Sequence, residues 1–155
     1  MKDNLKISLR KANFSDIEFL WYLRNQPDVY KYSRVNKPIT WEEHILWILP
    51  ILLGLNNKKL FLIQYSRIPL GQIRFDYLNL KEVEISISIL KDFRGRSFAT
   101  RALNLGIKEI KKQKKAKLLI ATTHKKNIPS QKFFENLNFK LKTKKGKWLK
   151  YVLKI

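Results

Sequence analysis

Apolar and polar residues alternate over residues 6–12 (Lys6-Ile7-Ser8-Leu9-Arg10-Lys11-Ala12), the period of two that predicts a half-buried strand. The period then lengthens. Ser15-Asp16-Ile17-Glu18 has the spacing of a capping box, and Ile17, Leu20, Trp21 and Leu23 follow at helical intervals. Pro27 disfavours helical geometry at Gln26, so this first helix is expected to stop near Asn25. The polar stretch 28–38, with Tyr30, Tyr32, Arg34 and Lys37, is expected to form a loop or short turn near a ligand. Thr40-Trp41-Glu42-Glu43 repeats the capping pattern and opens a second helix to about Ile51. Trp41, Ile45, Leu46 and Ile48 are expected to face inward, and residues 54–58 end the helix.

Strand patterns follow at 59–65 and 70–77, separated by the hairpin-like Ser66-Arg67-Ile68-Pro69, and Asn79-Leu80-Lys81 turns the chain into a third at 82–90. Residues 98–112 carry a helical pattern, 116–123 a buried-strand run and 130–136 a short helix. Two closing strands, 139–144 and 147–153, meet at Lys145-Gly146. With no internal repeat and no linker, residues 1–155 are expected to form a single domain. The order β-α-α-β-β-β-α-β-α-β-β, a meander followed by a helical crossover, predicts an α/β (α+β) fold. Its mixed, mostly antiparallel sheet of about seven strands is flanked by four helices, on both faces.

Composition narrows the function classes. Of 155 residues 45% are hydrophobic and 12% aromatic, which excludes a disordered chain. The absence of cysteine removes disulfides and thiolate metal sites and fits a reducing cytoplasm; two isolated histidines make a poor ligand set, so no metal is expected. The first residues lack an apolar core after their charges and are not expected to be a secretory signal. The most apolar stretch, 45–55, is short and broken by Pro50 and Gly54, so no membrane association is expected. The net charge of +21 is lopsided: residues 1–90 carry 13 Lys/Arg against 9 Asp/Glu, residues 91–155 carry 20 against 3. This suits a polyanionic partner, or equally a solvated lysine-rich face with an acidic small-molecule ligand. Lysines outnumber arginines 25 to 8, which argues for the second, so no specific nucleic acid is expected.

The stretch with the clearest chemistry is Arg94-Gly95-Arg96-Ser97-Phe98-Ala99-Thr100, between the alternating run 83–89 and the helix that follows. A strand that breaks into a basic turn and restarts as a helix leaves several backbone N–H groups pointing at one spot, at the positive end of the helix dipole. That is an anion site.

This turn, in this topology, resembles the pyrophosphate loop Arg/Gln-x-x-Gly-x-Gly/Ala of the GNAT superfamily of acetyl-CoA-dependent N-acetyltransferases. Arg94 and Ala99 match the loop's ends, while Ser97 stands where glycine is usual and its Cβ restricts positive φ. Downstream, Asn127-Ile128-Pro129-Ser130, Phe134 and Asn138-Phe139 resemble the family's Asn-x-x-Ser/Ala-x-x-x-Tyr/Phe and Gly-Phe element, with Asn138 in the glycine position. The resemblance covers essentially the whole chain. It implies acetyl-CoA as cofactor, with its pyrophosphate on Arg94, Gly95, Arg96, Ser97, Phe98, Ala99 and Thr100. It further implies a bulge that splays the fourth strand from the fifth, and pantetheine along Ile87, Ser88 and Ile89. Asn127, Ser130 and Phe134 complete the cofactor set, with Asn127 on the pantetheine arm, Ser130 as a local helix cap and Phe134 packed beside the thioester. Many members have tyrosine at the Phe134 position as the acid for the departing thiolate; phenylalanine cannot serve so.

Acetyl transfer needs an uncharged amine, a base to take its proton and a donor to the oxygen that becomes negative. Glu84, His44, Asp76 and His124 stand as candidate bases, and the backbone N–H of Ile89 is the expected oxyanion donor. Leu23-Arg24-Asn25 with Pro27, the run from Ile39 to His44 with Trp47, Gly71-Gln72-Ile73-Arg74-Phe75-Asp76 and Glu84-Ile85-Ser86-Ile87-Ser88 are similar to the branch that acetylates the 4-amino group of UDP-linked amino-dideoxy sugars. A nucleotide sugar would then lie against Arg24, Tyr30, Tyr32, Arg34 and Arg74. The alternatives are a protein N-terminal acetyltransferase of the ribosomal-protein type, or an inactive basic nucleic-acid-binding domain. A monomer or homodimer is expected.

Overall fold

The computed structural model describes residues 6–155; residues 1–5, where the signal-peptide expectation falls, lie outside the described residues. Among the described residues seven strands, β1 (Ile7–Lys11), β2 (Lys58–Tyr65), β3 (Ile68–Tyr77), β4 (Glu82–Ile89), β5 (Leu118–His124), β6 (Lys140–Lys145) and β7 (Trp148–Lys154), form one sheet in the order β1-β2-β3-β4-β5-β7-β6. All neighbouring pairs are antiparallel except β4 with β5, which the crossover through the intervening helix makes parallel. The mixed, mostly antiparallel sheet is as expected. Five helices accompany it: α1 (Ile17–Arg24), α2 (Pro27–Tyr30), α3 (Trp41–Leu52), α4 (Phe98–Lys111) and α5 (Ile128–Asn136). None is long and apolar enough to cross a membrane.

The extra helix, α2, lies in the stretch expected to be a loop or turn. Gln26 is extended (φ −67°, ψ 129°), as its proline neighbour requires, and Pro27 then opens a new turn at the first helical position, where a missing N–H costs nothing. The first capping box is also displaced. Asn13, not Ser15, accepts the Ser15 N–H (2.9 Å), while Asp16 accepts the Asn13 N–H (2.8 Å) and pairs with Arg10. A short 3-10 turn, Phe14–Asp16, therefore precedes α1. The Thr40 box is as expected.

Alternation puts opposite strand faces into two cores. On one, Ile63, Ile73, Phe75, Val83, Ile85 and Ile89 meet Ala102, Leu103 and Ile110 of α4. The helix sits so close there that a Cβ on Gly106 would lie 2.5 Å from the Phe75 ring. On the other, Leu60 and Leu62 meet Leu20, Ile48 and Ile51 from α1 and α3. The inward face of α3 is thus His44, Ile48 and Ile51, rotated from the expected one: Leu46 is 78% exposed and Trp41 39%. The rotation follows His44, whose ring Nε2 lies 2.9 Å from the Ile17 carbonyl oxygen of α1. Two-residue turns close the β2–β3 and β6–β7 hairpins. Ser66 and Arg67 both take positive φ (49° and 69°), so Ile68 and Pro69 belong to β3 rather than to the turn.

Candidate active site

Beyond Ile85 and Ala121 the parallel pairing of β4 with β5 ceases and the two strands diverge. The expected bulge in β4 is absent: its register with β3 runs without a shift from Tyr77–Val83 to Gly71–Ile89. The fork arises from β5 leaving, not from β4 kinking. The hydrogen bonds Leu90 N–H to Leu70 O (2.8 Å) and Leu78 N–H to Glu82 O (3.0 Å) fix the parity of the antiparallel ladder. Even-numbered residues of β4 bond to β3, so the N–H groups of Ile87 and Ile89 point across the fork, where no strand pairs with them. The Ile89 carbonyl accepts Arg94 Nε (2.9 Å).

The basic turn closes the open end of the fork. Gly95 (φ 74°) and Ser97 (φ 60°, ψ 14°) are both left-handed, and Ser97, at the N-cap of α4, makes no capping bond with its side chain. The first-turn N–H groups of α4 are thus left for a ligand. Arg94 also pairs with Asp28 of α2. This geometry fits a pyrophosphate: free donors, two left-handed residues and a helix N-terminus converge beside an unpaired strand edge.

Two cavities meet at this fork. One, of about 610 Å³, runs along Ile87, Ser88, Ile89, Arg94, Gly95, Ser97, Phe98, Ala99 and Thr100 to Asn127, Ser130 and Phe133, with Asp28 and Tyr32 on its rim. The other, of about 620 Å³, lies between the sheet and α1 to α3; Arg24, Tyr32, Arg34, Arg74, Glu84, Ser86, His124 and Trp148 are among its walls. Val29, Tyr32, Ile87, Ser88, Asn127 and Ser130 line both. Side chains at the end of α1 hold the segment that roofs the second cavity. Asn25 exchanges hydrogen bonds with the Ile39 backbone (2.9 and 3.0 Å), and Arg24 Nη2 donates to the Val35 carbonyl (2.8 Å).

Most of the expected cofactor residues therefore share one groove. Arg96 does not: it is exposed and outside both cavities. Phe134 lines the second cavity instead, packed between Phe133 and Phe139. Asn127, not Ser130, caps α5, accepting the Ser130 N–H at 3.3 Å. Of the expected acceptor-binding residues, Arg24, Tyr32, Arg34 and Arg74 line the second cavity and Tyr30 lines neither.

The candidate bases separate by environment. His44 is fully buried and reaches neither cavity; burial lowers its pKa, outweighing the Ile17 carbonyl. Asp76 lines the second cavity but is held by Arg74 (2.8 and 3.1 Å) and Lys58 (2.8 Å). His124 lines the second cavity, half-buried. Its Nδ1 accepts the Lys126 N–H (3.1 Å), and desolvation followed by Lys147, Lys126 and Lys125 lowers its pKa. Glu84 lines the cavity beside the fork, and its Oε1 accepts the Thr122 hydroxyl at 2.7 Å.

One wall residue, Trp148, carried no motif in the sequence. Trp148 faces His124 across β5 and β7, with ring centroids 5.3 Å apart, and Arg34 lies over the Trp148 ring at 5.3 Å. Gln72, whose Oε1 is shut from solvent without a partner among the described residues, lies opposite Ser88 in the β3–β4 ladder. Arg24 Nη1 is likewise enclosed and unpartnered.

A family model described as an acetyltransferase (GNAT) domain matches residues 6–140. An uncharacterized protein of Methanocaldococcus jannaschii is 32% identical over 165 residues, an alignment covering 99% of this chain and 32% of that protein. The chain thus spans about a third of that relative's length. The crystal structure of a domain from the same organism superposes with a TM-score of 0.85 at 26% identity, over 97% of this chain and 99% of the other. Spermidine N-acetyltransferase from Vibrio cholerae, solved with CoA and spermine, superposes with a TM-score of 0.83 at 14% identity, over 96% and 95% of the two chains, a likeness of fold.

Proposed function

The chain belongs to the GNAT acetyltransferase family, and from that premise we propose that it transfers the acetyl group of acetyl-CoA to a primary amine. The observation that carries this is the fork, where the groove with the pyrophosphate turn and the cavity with the carboxylate share one wall at Ile87 and Ser88. Acetyl-CoA supplies a thioester whose carbonyl carbon is open to attack by an amine. The backbone donors of residues 95–100 and the Arg94 guanidinium hold its pyrophosphate, and the free edge at Ile87 and Ile89 takes the pantetheine amides. The Ile89 N–H aims at the oxygen on which negative charge gathers. Glu84 takes a proton from the incoming ammonium, directly or through water, restoring the lone pair the attack needs. Asp76 and His44 are spent on ion pairs and packing. In the balance, one N–C bond forms, one C–S bond breaks, sulfur leaves as a thiol and one proton goes to solvent.

The acceptor proposed is the 4-amino group of a UDP-linked amino-dideoxy sugar. A cavity of about 620 Å³ with Arg24, Arg34 and the Tyr32, His124 and Trp148 rings in its wall suits an anionic acceptor with a planar end. Calorimetry with acetyl-CoA and release of CoA thiol in the presence of this sugar test the proposal together. Binding in the micromolar range with acetylated sugar as product is expected. No binding at millimolar acetyl-CoA would overturn the acetyltransferase assignment. Turnover of an N-terminal peptide but not of the sugar would overturn the acceptor alone.

A further inference from the structure

Glu84 and Thr122 are 38 residues apart in sequence, yet the sheet brings them together at the crotch of the fork. In the parallel ladder Glu84 stands opposite Ile120, and the last paired position on β5 is Ala121. Thr122 is the next residue, the first on β5 with no partner on β4. By alternation it lies on the same face as Ile120 and Glu84, which is the cavity face. Its hydroxyl donates to Glu84 Oε1 at 2.7 Å, a bond made where the backbone bonds between the two strands have stopped.

We propose that Thr122 is a positioning residue for acetyl transfer: its hydroxyl pins one carboxylate oxygen of Glu84, so that the other, Oε2, meets the amine proton. The role assigned to Thr122 rests on Glu84 being the proton acceptor. A glutamate side chain rotates about three bonds, and a carboxylate left to sample them is seldom in reach of the proton it must take. A hydrogen bond to an ionised oxygen is among the stronger ones available to fix it. Threonine suits the task because branching at Cβ restricts its own χ1, so the donor is itself held. Oε1 is committed, and no described residue donates to Oε2. When the proton moves, an N–H bond of the ammonium breaks and an O–H bond forms on Oε2. Thr122 keeps its own proton throughout.

A hydroxyl at this place also straps β4 to β5, so the test must separate positioning from support. Thr122→Val keeps shape and branching and removes the donor; Thr122→Ser keeps the donor. Kinetics are measured on the full chain with acetyl-CoA and, in parallel, the UDP-linked 4-amino-dideoxy sugar and n-butylamine as a minimal amine. Thr122→Val is expected to lower kcat roughly 10-fold, with both KM values within about 2-fold of wild type. Thr122→Ser is expected to recover most of the loss. In a Glu84→Gln background Thr122→Val is expected to change kcat by less than about 2-fold, because there is no longer a carboxylate to position. A Thr122→Val variant with unchanged kcat, or one that serine fails to rescue, overturns the proposal while a Glu84→Gln loss leaves the base assignment standing. Full activity in Glu84→Gln removes the base assignment and this role with it.

Discussion

Replacing Ser97 by glycine tests whether the turn proposed to hold the pyrophosphate carries its strain in the folded chain or in the complex. Ser97 sits at φ 60° and ψ 14°, where an L-residue with a Cβ is disfavoured by about 1–2 kcal/mol. Glycine escapes that cost but adds freedom to the unfolded chain, which takes back about 0.4–1 kcal/mol. The serine side chain makes no capping bond, so nothing else is lost. The net expectation is a gain of about 0.5–1 kcal/mol, or about 1–4 °C in Tm for a chain of this size. Because the left-handed turn belongs to the fold, the gain should appear in stability, and the acetyl-CoA Kd should change by less than about 3-fold, a 3-fold change being about 0.65 kcal/mol. Urea unfolding and calorimetric titration on the same preparations measure both quantities. A 10-fold tighter Kd with unchanged Tm would refute the reasoning by placing the strain in the bound state. A lower Tm would show that the Ser97 side chain supports the turn.

Three further outcomes are expected. Arg94→Ala removes the guanidinium at the groove, its pairing with Asp28 and its bond to the Ile89 carbonyl, and should weaken acetyl-CoA about 10-fold. Its effect on Tm should be small, since the pair is partly exposed; calorimetry and a melting curve read the two. His44 is buried neutral with a lowered pKa, so on acidification the unfolded chain takes its proton first. Stability should therefore be level above about pH 6.5 and fall below it, toward the depressed folded value. Urea unfolding from pH 8 to 5 should show this fall in the wild type and a reduced one in His44→Gln. Gly106→Ala forces a Cβ to within 2.5 Å of the Phe75 ring and should cost about 1–2 kcal/mol despite the better helix propensity of alanine. Its melting temperature, compared with that of a solvent-facing Lys108→Ala control, reads that cost.

Local rules foretold local structure well. The Thr40 box, the stop at Asn25 and the left-handed Asn138 (φ 66°) all follow from a few neighbouring residues, and the chain obeys them. Where two local solutions compete, tertiary contacts decide. Ser15 and Asn13 both offer a cap, and Asn13 wins because Asp16 is already drawn to Arg10 on β1. His44 turned inward because the Ile17 carbonyl awaits it, a destination no periodicity encodes. The groove proposed for the cofactor was legible because its donors are backbone groups of one contiguous turn. The cavity proposed for the acceptor was only half legible, since its walls come from strands that meet through pairing. Trp148 reaches it through β7 beside β5, and Asp76 is silenced by Lys58 from β2. The fork without a bulge belongs to the same class, because it depends on where the pairing of β4 with β5 ends and not on an irregularity in the β3–β4 register.

A crystal structure of the full chain with CoA is the most direct test. The pyrophosphate should lie within hydrogen-bonding distance of backbone N–H groups in residues 95–100, the pantetheine amides should pair with Ile87 and Ile89, and the sulfur should end on the Glu84 side of the fork. CoA bound away from the fork, or a fork closed by continued pairing of β4 with β5, would contradict the account.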